Sequence, residues 1–380
     1  MSNVTDPTNC EPFRGENVMT DPRMEKFADV LVNYSTELKK GETVLIRAGS
    51  VAGDLAREVY RKSLAAGAHP RLKLELPDKE SIFYSEAGDE QLDYLSPIDM
   101  FEMEHTHALI VIRAETNTRS MSSVPPEKQA RRSRAMKPLQ DLTLEKTRWC
   151  GTLYPTSAYA QDAEMSDEEF RDFVFRAVFA DRDNPIAEWR KLSEMQDGLI
   201  KAVTGRNEVR IRAEGTDLKL RIDGRKWINS DGKHNMPSGE IFTTPIEDSA
   251  EGVVTFTYPV VKSGREIEGI RLVFKEGKVA EASATKNEDY LKKMIALDSG
   301  SNRLGELGVG TNYGIDRFIK TILYDEKIGG TIHLALGNAY TETGGKNVSA
   351  LHWDMICDLR RGGEMLVDGE VFQKDGEFQL

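Results

Sequence analysis

The spacing of apolar residues changes character partway along the chain. MEKFADVLVNYSTEL (24–38) repeats its apolar positions every three or four residues, which predicts an amphipathic helix. ETVLIRA (42–48) is a short β-rich run, and VAGDLAREVYRKSLAAGA (51–68) reads as a helix closing near a glycine. RLKLEL (71–76) alternates as a strand does, and HALIVIRAE (107–115) reads as a buried strand. Strands alternating with helices of this length predict a Rossmann-like α/β unit around a parallel sheet. From about residue 127 to 205 the pattern is mostly helical. There Ser166 to Glu169 has the form of a capping box, and IAEWRKLSEMQDGLIKAV (186–203) has an apolar stripe.

After Gly205 the period becomes two. EVRIRAEGTDLKLRIDG reads as two strands around a turn, followed by strand patterns in VVTFTYPVV, GIRLVFKEGKVAEASA and TIHLALG. The expected organisation is a polar, flexible extension at 1–20, an α/β domain at 21–205 and a mainly β (α+β) domain at 206–380. A chain of 380 residues is long enough for two such cores.

Composition narrows the class. The formal charge of −12 repels nucleic acid and anionic membranes, so neither is an expected partner. Cys10, Cys150 and Cys357 are odd in number and far apart, which fits a reducing compartment better than a disulfide framework. The N-terminal stretch has no apolar segment of a secretory signal, and no run is long enough to span a bilayer. The expectation is a cytoplasmic protein.

Several possible sites carry little chemistry. The glycines of GELGVGTNYG (305–314) do not make a dinucleotide fingerprint, and IRAGSVAGD (46–54) is a weak phosphate-binding signal. The basic ARRSRAMK (130–137) reads as the solvated face of a helix, and His105 and His107 as a structurally satisfied pair on one strand face. The β-rich half differs, because ligand-type residues recur where the chain is otherwise apolar or tight-turning. Glu240 follows a Pro-Ser-Gly turn in MPSGEIFTTP, and Glu306 lies in what reads as a glycine-rich loop, NRLGELGVGTN. His333 is the second residue, and Tyr340 the last, of IHLALGNAY. LHWDM sets His352 and Asp354 two positions apart, on one face of a strand, with Trp353 and Met355 on the other. A strand with a carboxylate-satisfied imidazole and half of a metal site both fit that pattern. Carboxylate oxygen mixed with imidazole suits zinc, cobalt or manganese.

SGEIFTTP, RLGELGVGTN, IHLALGNAY and NVSALHWDM, in this order, resemble the metal-binding blocks of the thermophilic-metalloprotease family of aminopeptidases. The similarity extends through DPRMEKFADVLVNYS, LKKGETVLIRAGS and REVYRKSLAAGAHP to the closing VDGEVFQKDGEFQL. The spacings agree too: Glu240 and Glu306 are 66 positions apart, His333 and Tyr340 seven. The resemblance implies a homodimeric aminopeptidase hydrolysing peptides at a free N-terminus. It implies two divalent metal ions (zinc, cobalt or manganese) with a bridging water, held by Glu240, Glu306, His333, Tyr340, His352 and Asp354. Glu306 is then the expected bridging ligand and proton relay, and Tyr340 a ligand or oxyanion donor. A distant branch of the same fold resembles mononuclear iron(II) ring-cleaving dioxygenases. That branch and a non-catalytic metal-binding protein are the alternatives.

Overall fold

The computed structural model describes residues 21–262 and 264–379, so the expected N-terminal extension with Cys10 lies outside the described residues. Five parallel strands form the first sheet, in the spatial order His69–Glu75, Thr43–Gly49, Ala108–Arg113, Arg148–Leu153 and Asn235–Met236. The inner strands are apolar because helices cover them: Phe27, Leu31, Leu55 and Val59 pack with Val44, Ile46, Ile110 and Ile112 in one core. Helix Gly53–Ala65 ends, as its sequence predicts, at a glycine with positive φ, Gly67 (φ 78°). The Ser166–Glu169 capping box opens helix Asp167–Ala177.

The stretch read as mostly helical contains the strand Arg148–Leu153. RWCGTL has neither a long apolar run nor clean alternation. It is a strand because neighbours pair with it on both sides, a tertiary contribution that local propensity does not reveal.

The β-rich half is built mainly of two antiparallel sheets packed face to face, with a separate two-stranded ribbon, Val260–Lys262 and Arg265–Ile267. One has eight strands, in which Thr216–Arg221 shows strict alternation of buried and exposed positions. The other runs His352–Asp358, Thr331–Gly337, Leu304–Gly310, Glu240–Thr243, Ile228–Ser230, antiparallel throughout. Leu307, Val309, Leu334, Leu336, Trp353 and Met355 of this five-stranded sheet share a core with Val209, Ile211, Leu218 and Leu272 of its neighbour. Side chains alternate across a strand, so burying that set leaves the intervening residues together on the opposite face.

Between Leu304–Gly310 and Thr331–Gly337 the chain leaves the sheet. Ile315, Ile319, Leu323, Tyr324 and Ile328 enter the first core, where the Tyr324 ring lies 5.7 Å from that of Phe173. The chain then returns to the sheet through Glu326 and Lys327. Among the described residues no helix is long and apolar enough to cross a membrane.

Candidate metal centre

Register decides which side chains meet on the face turned away from the core. Glu306 lies opposite Ala335, which lies opposite Asp354; Gly308 lies opposite His333, and His333 opposite Ile356. Glu240 pairs with Gly310 on the next strand, and His352 with Gly337. Five of the six residues singled out by sequence therefore stand on one face, over a floor of glycine and alanine. The small floor makes room: a Cβ at Gly308 would sit 2.0 Å from Cε1 of His333, so the imidazole lies across bare backbone.

The carboxylates and imidazoles form overlapping triads, Glu240/Glu306/His333 and Glu306/His352/Asp354, each with its facing atoms within 4.8 Å of one another. Nε2 of His333 is 3.3 Å from Glu240 Oε2 and 3.5 Å from Glu306 Oε1. Nε2 of His352 is 3.2 Å from Glu306 Oε2 and 3.4 Å from Asp354 Oδ1. Glu306 thus presents one oxygen to each imidazole. The backbone carbonyl of Asn338 lies 2.9 Å from His352 Nδ1; an N–H there leaves the Nε2 lone pair facing the carboxylates, the usual second-layer support of a metal-binding histidine.

Tyr340 sits at the mouth. Its ring is 5.3 Å from that of His352, edge to face, and 5.1 Å from that of Phe242. The residue as a whole is 40 % exposed. Burial of the phenol, then the charges of Glu306, Asp354, Glu326 and Glu240, raise its pKa.

The cluster is electrostatically tight. Burial disfavours charge on His333, but Glu306 and Glu240 outweigh it and push the imidazole up to about 10. Burial likewise opposes charge on His352, where Asp354 and Glu306 prevail and raise it to about 11. Burial would raise Asp354, yet His352 brings it down to about 2. Glu306 is lowered despite its burial, through His333 and His352. Without a metal, protonated imidazoles would neutralise these carboxylates.

Whether the group suits a metal turns on atoms the protein leaves without partners. Glu240 Oε2 and Asp354 Oδ1 are buried with no hydrogen bond, each aimed at an imidazole nitrogen. A buried oxygen without a donor is costly, and a divalent cation is a partner that satisfies such oxygens and neutral imidazoles together. The donor set fits.

Other residues enter that sequence reasoning missed. Lys327 is fully buried, 3.4 Å from Glu240 Oε1 and also paired with Glu326. Glu326 forms a further triad with His333 and Asp354. Lys262 donates from Nζ to the carbonyl of His352 at 2.9 Å. Gln196, on helix Pro185–Val203, donates to the carbonyls of Glu240 and Ser230 and so ties that helix to the site. An Asp-Glu-Lys beside a Gly-Gly reads as an exposed turn, so YDEKIGG carries no signal; only the excursion through the first core buries it.

Two expectations need correction. Glu306 is on a strand, Leu304–Gly310, buried along its whole length and bulged between Leu304 and Glu306, and not in a loop. Its glycines serve close packing on both sides of a central strand, a role that reads locally like loop composition. His105 and His107 do not share a strand face. His105 ends helix Pro97–Glu104 with Nδ1 2.7 Å from the Phe101 carbonyl, and His107 Nδ1 accepts the Thr43 N–H at 3.1 Å. The basic run lies on helix Pro126–Lys146 as expected, where Arg131 pairs with Asp89 and Asp93.

The whole chain has relatives. The description "Thermophilic metalloprotease (M29)" matches residues 20–378. The sequence is 27 % identical to Aminopeptidase 2 of Geobacillus stearothermophilus, across 94 % of this chain and 95 % of that one. It is 27 % identical to Aminopeptidase T of Thermus thermophilus, across 91 % and 94 %. The fold superimposes on a solved structure of wild-type AmpT from Thermus thermophilus with a TM-score of 0.82, at 24 % identity, covering 94 % of this chain and 99 % of that one. The resemblance carried by four short blocks of sequence thus extends over nearly the full length, and the chain belongs to the thermophilic metalloprotease (M29) family.

Proposed function

We propose that the protein is a dinuclear aminopeptidase that removes the N-terminal residue from peptides, with Glu240, Glu306, His333, Tyr340, His352 and Asp354 holding two divalent ions. One observation carries the reading: the two triads share Glu306, which offers Oε1 to one and Oε2 to the other. A carboxylate placed this way suits a bridge between two ions. The names of the relatives support the same activity.

Two such ions would supply Lewis acidity, lowering the pKa of an attacking water and polarising the scissile carbonyl. The protein's own groups do the rest. Glu306 orients that water and takes its proton, then returns it to the departing amine. Tyr340, at the mouth, serves either as a ligand through its phenol oxygen or as the O–H donor to the oxyanion of the tetrahedral intermediate. Lys327 holds Glu240 by charge from beneath. The strand Thr331–Gly337 and its paired neighbours fix the ligands, as a site needing placement within about 0.5 Å requires.

The test is release of leucine from a leucine-initiated peptide and from its N-acetylated twin. Protein is stripped by chelator and refilled with zinc, cobalt or manganese. Metal-restored cleavage of the free peptide alone is the expected result. Equal cleavage of both peptides, or activity indifferent to the chelator, would refute the proposal.

The same reading includes a homodimer. Leu72, Leu74 and Leu76 are 42 %, 51 % and 74 % exposed on and just beyond the edge strand His69–Glu75, which is open to a further strand among the described residues. An edge of this length with exposed leucines favours pairing with another chain. Sedimentation equilibrium is expected to give twice the 42.6 kDa chain mass; a monomer at micromolar concentration would contradict it.

A further inference from the structure

A cavity of about 80 Å³ adjoins the metal-ligand cluster. The short strand Val260–Lys262 forms one wall and residues 318–322 another. Val260, Phe318, Ile322 and Ile356 give it an apolar lining, and His352 and Asp354 also line it. Ile356 lies two positions beyond Asp354 on the same strand, so the pleat that aims the carboxylate at the cluster also aims Ile356 into this cavity.

We infer that this cavity receives the side chain of the substrate's N-terminal residue and selects branched aliphatic groups of about leucine size over aromatic and cationic ones. The inference rests on the aminopeptidase reading and adds the substrate class. Position is the first argument. The residue to be released has its carbonyl at the reacting centre, so its side chain must enter a space next to the ligands, and this cavity shares His352 and Asp354 with them.

Size is the second argument. An apolar cavity of roughly 150 Å³ holds a benzene ring. At about 80 Å³ this one falls well short of a ring but accommodates a few aliphatic carbons. Phe318 sets that limit, because its ring stacks on Tyr258 with centroids 4.8 Å apart and planes 3° from parallel, and it has little freedom to swing aside.

Charge is the third. Lys262 and Lys320 both line the cavity. Lys262 is held at the His352 carbonyl, and Lys320 lies 3.7 Å from Glu266 and 3.8 Å from Glu164. A lysine or arginine side chain entering here buries its charge against Val260, Phe318, Ile322 and Ile356, with Lys262 and Lys320 already filling acceptors beside it and Asp354 committed to His352. Asp325 also lines the cavity, but its Oδ1 already accepts the Ile319 N–H at 2.7 Å.

The experiment measures kcat/KM of the metal-loaded protein on peptides that differ only in their first residue: Ala, Val, Leu, Phe and Arg. Leu is expected to exceed both Phe and Arg by about 10- to 100-fold, the range by which an apolar pocket discriminates by fit. Two variants then probe the walls. Phe318→Ala enlarges the cavity and is expected to raise the Phe-to-Leu ratio about tenfold. Ile322→Trp fills it from a residue already 44 % exposed, where the fold tolerates change, and is expected to lower the Leu-to-Ala ratio at least fivefold. Efficient cleavage with Phe or Arg equal to Leu, or ratios unmoved in Ile322→Trp, overturns this assignment while leaving the aminopeptidase standing. Cleavage of none of the peptides overturns both.

Discussion

Glu306→Gln is expected to lower kcat/KM on a leucine-initiated peptide by about 10³-fold or more, within the range associated with a lost acid–base group. Glu306 is 4 % exposed and faces both imidazoles, so the change alters two half-sites at once. Glutamine keeps the shape but turns an NH₂ group towards one imidazole and loses the charge that a bridging ligand contributes. Metal content, measured by plasma emission after gel filtration, separates the two roles of the residue. A fall from two ions to one or none identifies a ligand first; two ions retained with activity lost identifies the proton relay. Near wild-type turnover would remove Glu306 from the chemistry altogether.

Gly308→Ala is expected to be nearly as damaging, by steric conflict alone. The added methyl would lie 2.0 Å from Cε1 and 2.1 Å from Nε2 of His333, far inside contact distance. Leu307 and Val309 anchor the same strand in the core behind, so the backbone cannot retreat and the imidazole must move. Overpacking of this kind costs about 1–3 kcal/mol of stability. A 1 Å displacement near reacting groups can cost about 10²-fold in rate, and His333 has to move farther. Thermal unfolding together with a zinc titration checks both effects. A variant that melts and binds metal like the parent would show that the imidazole does not lie over this glycine.

Much of this arrangement was legible in the sequence because the strands are two-faced. In HWDMICD the alternation that buries Trp353, Met355 and Cys357 also places His352 and Asp354 together. His333 in TIHLALG sits between core residues in the same way. The helical run before Ala65 and the hairpin from Glu208 to Arg221 carried equally plain periodicity. What escaped notice depended on distant parts of the chain. Glycines of Leu304–Gly310 are chosen for what crosses above them, such as the His333 ring, and from within the segment they are indistinguishable from loop glycines. Lys327 owes its burial to a detour whose apolar anchors pack against Phe173 and its neighbours more than a hundred positions earlier. Arg148–Leu153 is a strand because of its partners. Five of the residues that the structure gathers on one face were readable from ligand types in order; Glu326 and the supporting lysines and carbonyls were not.

The matched registers of the five-stranded sheet also limit how this protein can change over generations. A single inserted or deleted residue within His352–Asp358 would turn Trp353 and Met355 to the ligand side and drive Asp354 into the apolar core. The same holds for Thr331–Gly337 and for Leu304–Gly310 beyond its bulge between Leu304 and Glu306, where odd shifts invert the faces and even ones slide a ligand past its neighbours by two positions. Length variation among descendants is therefore confined to the connections, above all the 311–330 excursion and the turn after Gly337. Within the strands, away from that bulge, lineages can diverge by substitution only.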